Sequence, residues 1–389
     1  MNSDEAVESR GGVMSGNFRR RPRRGAILVL SAIMLSVLLL MTAFAVDVGY
    51  FLLVRSELQT SADAAALAAA WELLDGRSRG RNDFVEKATA AARSFAQKNP
   101  AGGVEPLLAD ADVQFGRLDL TAGKDAQLQP SDPRWYNAVR VRVRRTAEIN
   151  GKIPTFFGRL AGISGVSAQA EATAAFMDDL IGFRPPRGRL PLRVLPFALD
   201  KQTWEEVFAG NTSDQWTWDE ETQTVRSGPD GIFEANLFPQ ATGSPGNRGT
   251  IDIGARNNST ADLARQIREG LSDADLEHLG GKLELGSDGT LSLNGDTGIS
   301  AGVKDELAGI RGRPAIILLF DSVAGNGNNA QYTVVGFAGV RIMEVNLTGK
   351  MSSKRVIVQP ARFFVHGGIP TPADAHTSYY IYSPAWLVR

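Results

Sequence analysis

GAILVLSAIMLSVLLLMTAFAV, residues 25–46, is a run of 22 residues without a single charge. As an α-helix rising 1.5 Å per residue it is about 33 Å long, close to the ~30 Å hydrocarbon thickness of a bilayer. Only Ser31, Ser36 and Thr42 interrupt it, and a hydroxyl on a helix can bond back to a carbonyl of the preceding turn. A core helix of this length carries a polar face, and this run has none. It reads as one transmembrane helix. Upstream lie Arg19, Arg20, Arg21, Arg23 and Arg24, and the first charge downstream is Asp47. Cations at the mouth of an apolar helix set its orientation: residues 1–24 form a basic cytoplasmic tail and everything after residue 46 is exported. Ala43-Phe44-Ala45 fits a small-x-small cleavage site, but the apolar run exceeds the usual 7–15 residues of a signal sequence and the helical pattern continues through it. An uncleaved anchor is expected.

Outside that run the composition is balanced. The 389 residues include 42 Lys+Arg and 43 Asp+Glu, giving a net charge of −1, with no cysteine and three histidines, His278, His366 and His376. A chain without cysteine has no disulfide framework, thiolate metal site or cysteine nucleophile. Near-neutral charge argues against a nucleic-acid partner.

After Asp47 the pattern stays helical to Asp75, with Gly49 the one glycine, and a stop is expected at Gly76. Leu58, Ala62, Ala65, Ala66 and Ala69 recur on one face, with Arg55 and Gln59 on a more polar side. An alanine face lets another helix approach closely, and the sequence leaves open whether that helix belongs to a partner or to the chain itself. A second helix is expected over 82–97, capped by Asn82 and ended before Asn99-Pro100.

These residues carry a resemblance. The parts are Arg23-Arg24-Gly25 and the apolar run, Ala45-Val46-Asp47-Val48-Gly49, Arg55, Leu58-Gln59, and the stretch Ala62 to Ala68. In this order they resemble the N-terminal signature of TadE/TadG-like Flp pilus-assembly proteins. The similarity continues through the alternating strand Ala138 to Arg144, through Pro154-Thr-Phe-Phe157 and Gly162, and through Val166 to Ala174. It implies a strand, short helix and strand that complete an exported domain near residue 179. Prepilin-like members carry a Glu a few residues past a scissile Gly. With Gly25 in that place, position 30 is Leu30, so the resemblance implies an anchored TadG-like component rather than a polymerised pilin.

Residues 180–196, LIGFRPPRGRLPLRVLP, read as a linker. Beyond it turn signals are dense: Gly228-Pro-Asp-Gly231, Gly243-Ser-Pro-Gly246, Ser287-Asp-Gly289 and Asn294-Gly295. Strands are expected near 215–218, 222–226, 232–238, 250–253, 282–285, 290–293, 314–321, 331–346 and 355–366, with Val334 to Val345 central. Ser259 or Thr260 should cap a helix to Glu269 with Leu263 and Ile267 inward, and Ser272 one to Leu279. Trp204, Trp216, Trp218, Phe233 and Phe238 are expected in core and turn packing. Trp216 and Trp218 share a strand face on which a sugar would stack in the alternative reading.

Catalytic patterns fail. No Gly-Lys pair (123, 151, 281, 349) is followed by Ser or Thr as a nucleotide loop requires, Gly162-Ile-Ser-Gly-Val166 lacks the last glycine of a nucleophile elbow, and no His-Glu-x-x-His occurs. Ala315 to Ser322 resembles the start of a von Willebrand A-type metal motif, but Val323 and Gly325 stand where oxygen ligands belong, and hard cations need several oxygens. Gly286 to Thr290 and Asn294 to Asp296 lack calcium-loop spacing. The sequence thus points to an α+β protein: a transmembrane helix over 25–46, an exported helical stalk and α/β region over 47–179, a linker over 180–196 and a β-rich exported domain over 197–389. The expected function is non-enzymatic, with no cofactor or metal: a component of a Flp/Tad-type pilus or related secretion apparatus, single-pass in the bacterial inner membrane. Its expected partners are the membrane and other proteins of that system. An anchored exported module for carbohydrate or surface polymer is the alternative. The residues expected to set anchoring and topology are Arg23, Arg24, Gly25, Asp47 and Gly49.

Overall fold

A computed structural model describes residues 24–185, 192–238, 248–254, 259–371 and 376–388. Arg19 to Arg23, the middle of the expected linker (186–191) and the turn signal Gly243 to Gly246 lie outside the described residues. Two compact units divide the chain: Met1–Leu53 with Ile153–Val166, and Val54–Lys152 with Ser167–Arg389.

Helix α1 is one uninterrupted helix, Arg24–Ser78, of 55 residues. The apolar run and the expected stalk are therefore the same element, as a stretch rich in Ala and Leu and free of proline allows. The Ser36 and Thr42 hydroxyls donate to the Ala32 and Leu38 carbonyls, 2.9 Å each. The helix passes through Gly76 instead of stopping there. A Cβ at Gly76 would lie 2.4 Å from the Phe84 Cβ, so this glycine serves the close return of the chain rather than a helix end.

The first unit holds, besides the start of α1, a short hairpin. Ile153 and Pro154 pair with Val166 and Gly165. A single 3₁₀ turn, Gly158–Ala161, fills the tip and ends at Gly162 with φ +81°, the left-handed region that glycine enters without strain.

In the second unit, helix α2 runs Phe84–Gln97. Asp83, not Asn82, precedes it, and the Asp83 carboxylate pairs with Lys87 at 2.9 Å instead of capping. The Ser61 hydroxyl of α1 donates to the Ala96 carbonyl (3.2 Å). With the Gly76–Phe84 contact this fixes α2 antiparallel to α1, and its Ala88, Ala92 and Ala96 are fully buried. A four-stranded antiparallel sheet follows in the order Val113–Gly116, Ala138–Arg145, Ala168–Ala175, Trp386–Val388. On one face Val139, Val141 and Val143 stand opposite Ala174, Ala172 and Ala170, all buried. The last strand brings the C-terminal end of the described chain into this sheet.

The β-rich part centres on Ala330–Asn346, 17 residues long. It pairs with Pro314–Ala324 and Leu291–Asp296; the latter pairs with Gly249–Ile251, that with Val194–Asp200, and that in parallel with Pro314–Ala324 again. These five strands close a ring, which removes the exposed edges an open sheet would leave. Alternate residues feed two cores, Val194, Ala198, Ile316, Leu318 and Tyr332 in one and Leu195, Phe197, Leu199, Ile317 and Leu319 in the other. Arg355–Pro360 and Ala235–Asn236 extend the sheet. Helix α3, Lys201–Ala209, is capped by Asp200, which accepts from Thr203 N at 2.8 Å. Helix α4, Thr260–Glu269, is capped by Ser259, with Leu263 and Ile267 buried. Within the expected linker, Leu180–Phe183 and Val194–Asp200 are strands. Asn294-Gly295, read as a turn, lies inside Leu291–Asp296, because Gly295 must pack against Thr250 O and the Tyr332 ring, 2.3 and 2.9 Å from a Cβ placed there.

Candidate functional site

The apolar segment of α1 is not buried by any of the described residues. Ile27, Leu28, Leu40 and Met41 are each about two-thirds exposed or more, and the window is long and apolar enough to cross a membrane. Arg24 and Gly25 lie at the start of this helix; Arg23 is outside the described residues.

Where the apolar run ends, Asp47 meets the hairpin of the same unit. Its Oδ1 accepts from Phe156 N (2.7 Å), and its Oδ2 accepts from Phe157 N (3.1 Å) and Gly158 N (2.7 Å). A carboxylate thus satisfies three successive amide donors at the start of the Gly158–Ala161 turn, the task of a helix N-cap performed from 110 residues away. The Tyr50 ring packs edge-on to Phe156 at 5.3 Å. Sequence reasoning placed Asp47 at the boundary but missed this contact; a lone acid after an apolar run gives no sign of which donors it finds. Gly49 is exposed, and a Cβ there would meet nothing within 4 Å.

In the second unit the alanine face is spent internally. Val54, Leu58, Ala62, Ala65, Ala66 and Ala69 are all fully buried, so of the two possibilities the sequence left open the face packs within the chain itself. Polar groups also fix the helix to its sheet and to the loops beside it. The Glu57 carboxylate accepts from Gly102 N (2.6 Å), Gln59 Nε2 donates to the Glu171 carbonyl (3.1 Å), and Arg77 pairs with Asp178 (2.9 Å). Arg144 forks onto the buried Asp112 carboxylate at 2.8 and 2.9 Å.

Concavities in this unit include a cleft and a smaller cavity. The cleft, of about 900 Å³, has the end of α1 (Trp71, Asp75) and the following Arg79 on one side and Trp218, Arg341 and Arg362 on the other. Its charges are matched: Asp75 accepts from Arg79 (2.9 Å) and Arg362 (3.1 Å). Arg341 lies 4.1 Å over the Trp218 ring and donates to Gly312 O (2.9 Å); burial pushes its guanidinium down to about 10, so it stays charged at neutral pH. Arg311 likewise covers Trp216 at 5.3 Å. Each stack takes up one face of its tryptophan ring. Trp204 and Phe238 are buried as core residues.

A smaller cavity, about 320 Å³, is lined by Asp178, Asp179, His376 and Trp135 among others. The Asp179 Oδ1 accepts from Thr377 N (3.0 Å) and Ser378 N (3.2 Å), its Oδ2 lies 3.6 Å from His376 Nδ1, and burial raises its pKa. The His376 ring stacks on Trp135 at 4.8 Å. His366 lies elsewhere, beside the Gly367 turn. Asp321 is exposed on a strand that runs on to Ala324, and Asp288 closes its own turn by accepting from Thr290 N (3.0 Å). Among the described residues no group of three His, Cys, Asp or Glu could hold a metal ion.

The geometry is that of an anchored scaffold built on small-residue packing and ion pairs. No curated protein and no solved structure matches the chain. Two family models do. Residues 25–72 match the family described as "Putative Flp pilus-assembly TadE/G-like", and residues 68–174 match "Putative Tad-like Flp pilus-assembly". The matched stretch begins at the first residue of the apolar run and ends in the third strand of the four-stranded sheet. The N-terminal region of this chain, residues 25–174, thus matches the TadE/TadG-like Flp pilus-assembly families.

Proposed function

We propose that the chain is a non-enzymatic, membrane-anchored component of a Flp/Tad-type pilus-assembly or related secretion apparatus. The observation that carries this reading is the unbroken family match from Gly25 to Ala174, laid over one helix that holds the membrane segment and the first folded layer together. In this reading Arg23 and Arg24 hold the N-terminus on the cytoplasmic side of the inner membrane, Gly25 opens the anchor, and the bulk of the chain is exported. Asp47 ties the hairpin to the emerging helix. Gly49, exposed with open space around it, lets the helix of another pilus-system protein approach at the membrane boundary. The β-rich part supplies the remaining contact surface.

The test is purification of the full-length protein from membranes of its own host under mild detergent. The secretion ATPase, secretin or inner-membrane platform proteins of the pilus system should come with it. Their absence, in a preparation that retains the intact anchor, would remove the assembly reading.

A further inference from the structure

We propose that the hairpin Ile153–Val166 is a second membrane contact, whose tip inserts into the lipid interface beside the transmembrane helix. This rests on the reading of residues 25–46 as membrane-spanning. The tip exposes Phe156 (58%), Leu160 (90%) and Ile163 (53%), with Phe157 and Val166 also open. A soluble surface does not leave such side chains together without an occupant. Between Ile153 and Val166 the one charged residue is Arg159, exposed in the turn. Aromatic and aliphatic groups with a flanking cation are the composition of an interfacial anchor, and the cation suits anionic headgroups.

Two features commit this surface to lipid. The first is continuity. Asp47 directly follows Val46, the last residue of the apolar run, and its carboxylate holds the backbone of Phe156, Phe157 and Gly158. The tip is therefore held where the apolar run leaves the bilayer. The second is polar satisfaction. Backbone donors are costly to place near hydrocarbon unless they are paired. Here Asp47 takes three of them, Ile163 N donates to Gly158 O (2.9 Å), and the Thr155 hydroxyl donates to the Ile163 carbonyl. The loop offers apolar side chains outward while its backbone bonds close inward.

The natural chain has no cysteine, so Leu160→Cys gives one attachment point for an environment-sensitive fluorophore, on a side chain that little else touches. The full-length protein is reconstituted into phosphatidylethanolamine–phosphatidylglycerol vesicles containing nitroxide lipids. Leu38→Cys, in the middle of the apolar run, and Asp288→Cys, in an exposed turn, give the limits. The Leu160 label should emit to the blue of the Asp288 label and lose most of its emission to a headgroup-proximal nitroxide. Ile163→Cys should repeat this, and adding Asp47→Ala should return the Leu160 label toward the solvent value while Leu38 stays quenched. A Leu160 label that is solvent-like and quenched by aqueous iodide overturns the proposal. One that is shielded from iodide but untouched by nitroxide lipid also overturns it and assigns the tip to protein. If the Leu38 label too escapes lipid quenching, the membrane-spanning reading itself fails.

Discussion

Gly49 and Gly76 sit in the same helix and should respond to the same substitution with opposite signs. In a helix interior, replacing Gly by Ala gains about 1 kcal/mol, because alanine has less backbone freedom to lose. At Gly49 a Cβ meets nothing within 4 Å, so that gain should appear undiminished. At Gly76 the Cβ would lie 2.4 Å from the Phe84 Cβ and 3.1 Å from its Cα. Carbon atoms rest about 3.5–4.0 Å apart, so α2 must move by roughly 1 Å. Ser61, through its bond to the Ala96 carbonyl, resists this at the other end. Overpacking costs about 1–3 kcal/mol; at the upper part of that range, about 2–3 for a contact this close, it outweighs the propensity gain and leaves Gly76→Ala destabilised by roughly 1–2 kcal/mol. Denaturant unfolding of the full-length protein in detergent, followed by tryptophan fluorescence, reads this as a lower midpoint, and heating as a Tm lower by a few degrees. If Gly76→Ala is as stable as the parent, or if both variants shift the same way, the close α1–α2 approach is not what holds this layer together.

Other consequences follow from charge and burial. Asp112→Ala strands Arg144 in a partly buried site and should cost about 2 kcal/mol, below the 3–5 of a fully buried pair because Arg144 keeps about a quarter of its side chain exposed; the same unfolding midpoint measures it. Asp179 has its pKa raised by burial, so the folded state holds its proton above the unfolded value, and stability falls as pH rises through that window. Asp179→Asn should therefore be more stable than the parent at pH 7, with the difference closing as pH drops toward 4; a gap that widens on acidification contradicts the assignment. Leu35→Arg places a cation in the middle of the apolar run at about 2.5–3.5 kcal/mol, and should shift the protein from the membrane pellet to the soluble fraction or to degradation.

Much of this architecture was legible in the sequence where a pattern is local. The apolar run, the Ser259 cap and the long strand around Val334 to Val345 follow from periodicity and capping chemistry alone, whereas the Asp200 cap of α3 emerges only in the structure. What was hidden depends on contacts between distant residues. Gly76 reads as a stop signal until Phe84 is found against it. Asn294-Gly295 reads as a turn until Tyr332 and Thr250 claim the space of its missing side chain. Trp216 and Trp218 read as packing residues, but that their packing partners are the guanidinium groups of Arg311 and Arg341 shows only in the structure. The alanine face of α1 reads as available to any helix, and burial against the chain's own α2 and sheet is a choice that only the tertiary structure makes. Asp47 was legible by position and not by partner, since its three amide donors lie 109 to 111 residues away.

The most direct test of the account is complementation in the host. In a strain lacking this protein, pili are counted by electron microscopy after return of either the full chain or a chain in which residues 1–46 are replaced by a cleaved signal sequence. The account predicts pili with the full chain and none with the released form, even when it is exported and folded. Normal piliation without the protein, or full rescue by the released form, would contradict an anchored role in pilus assembly.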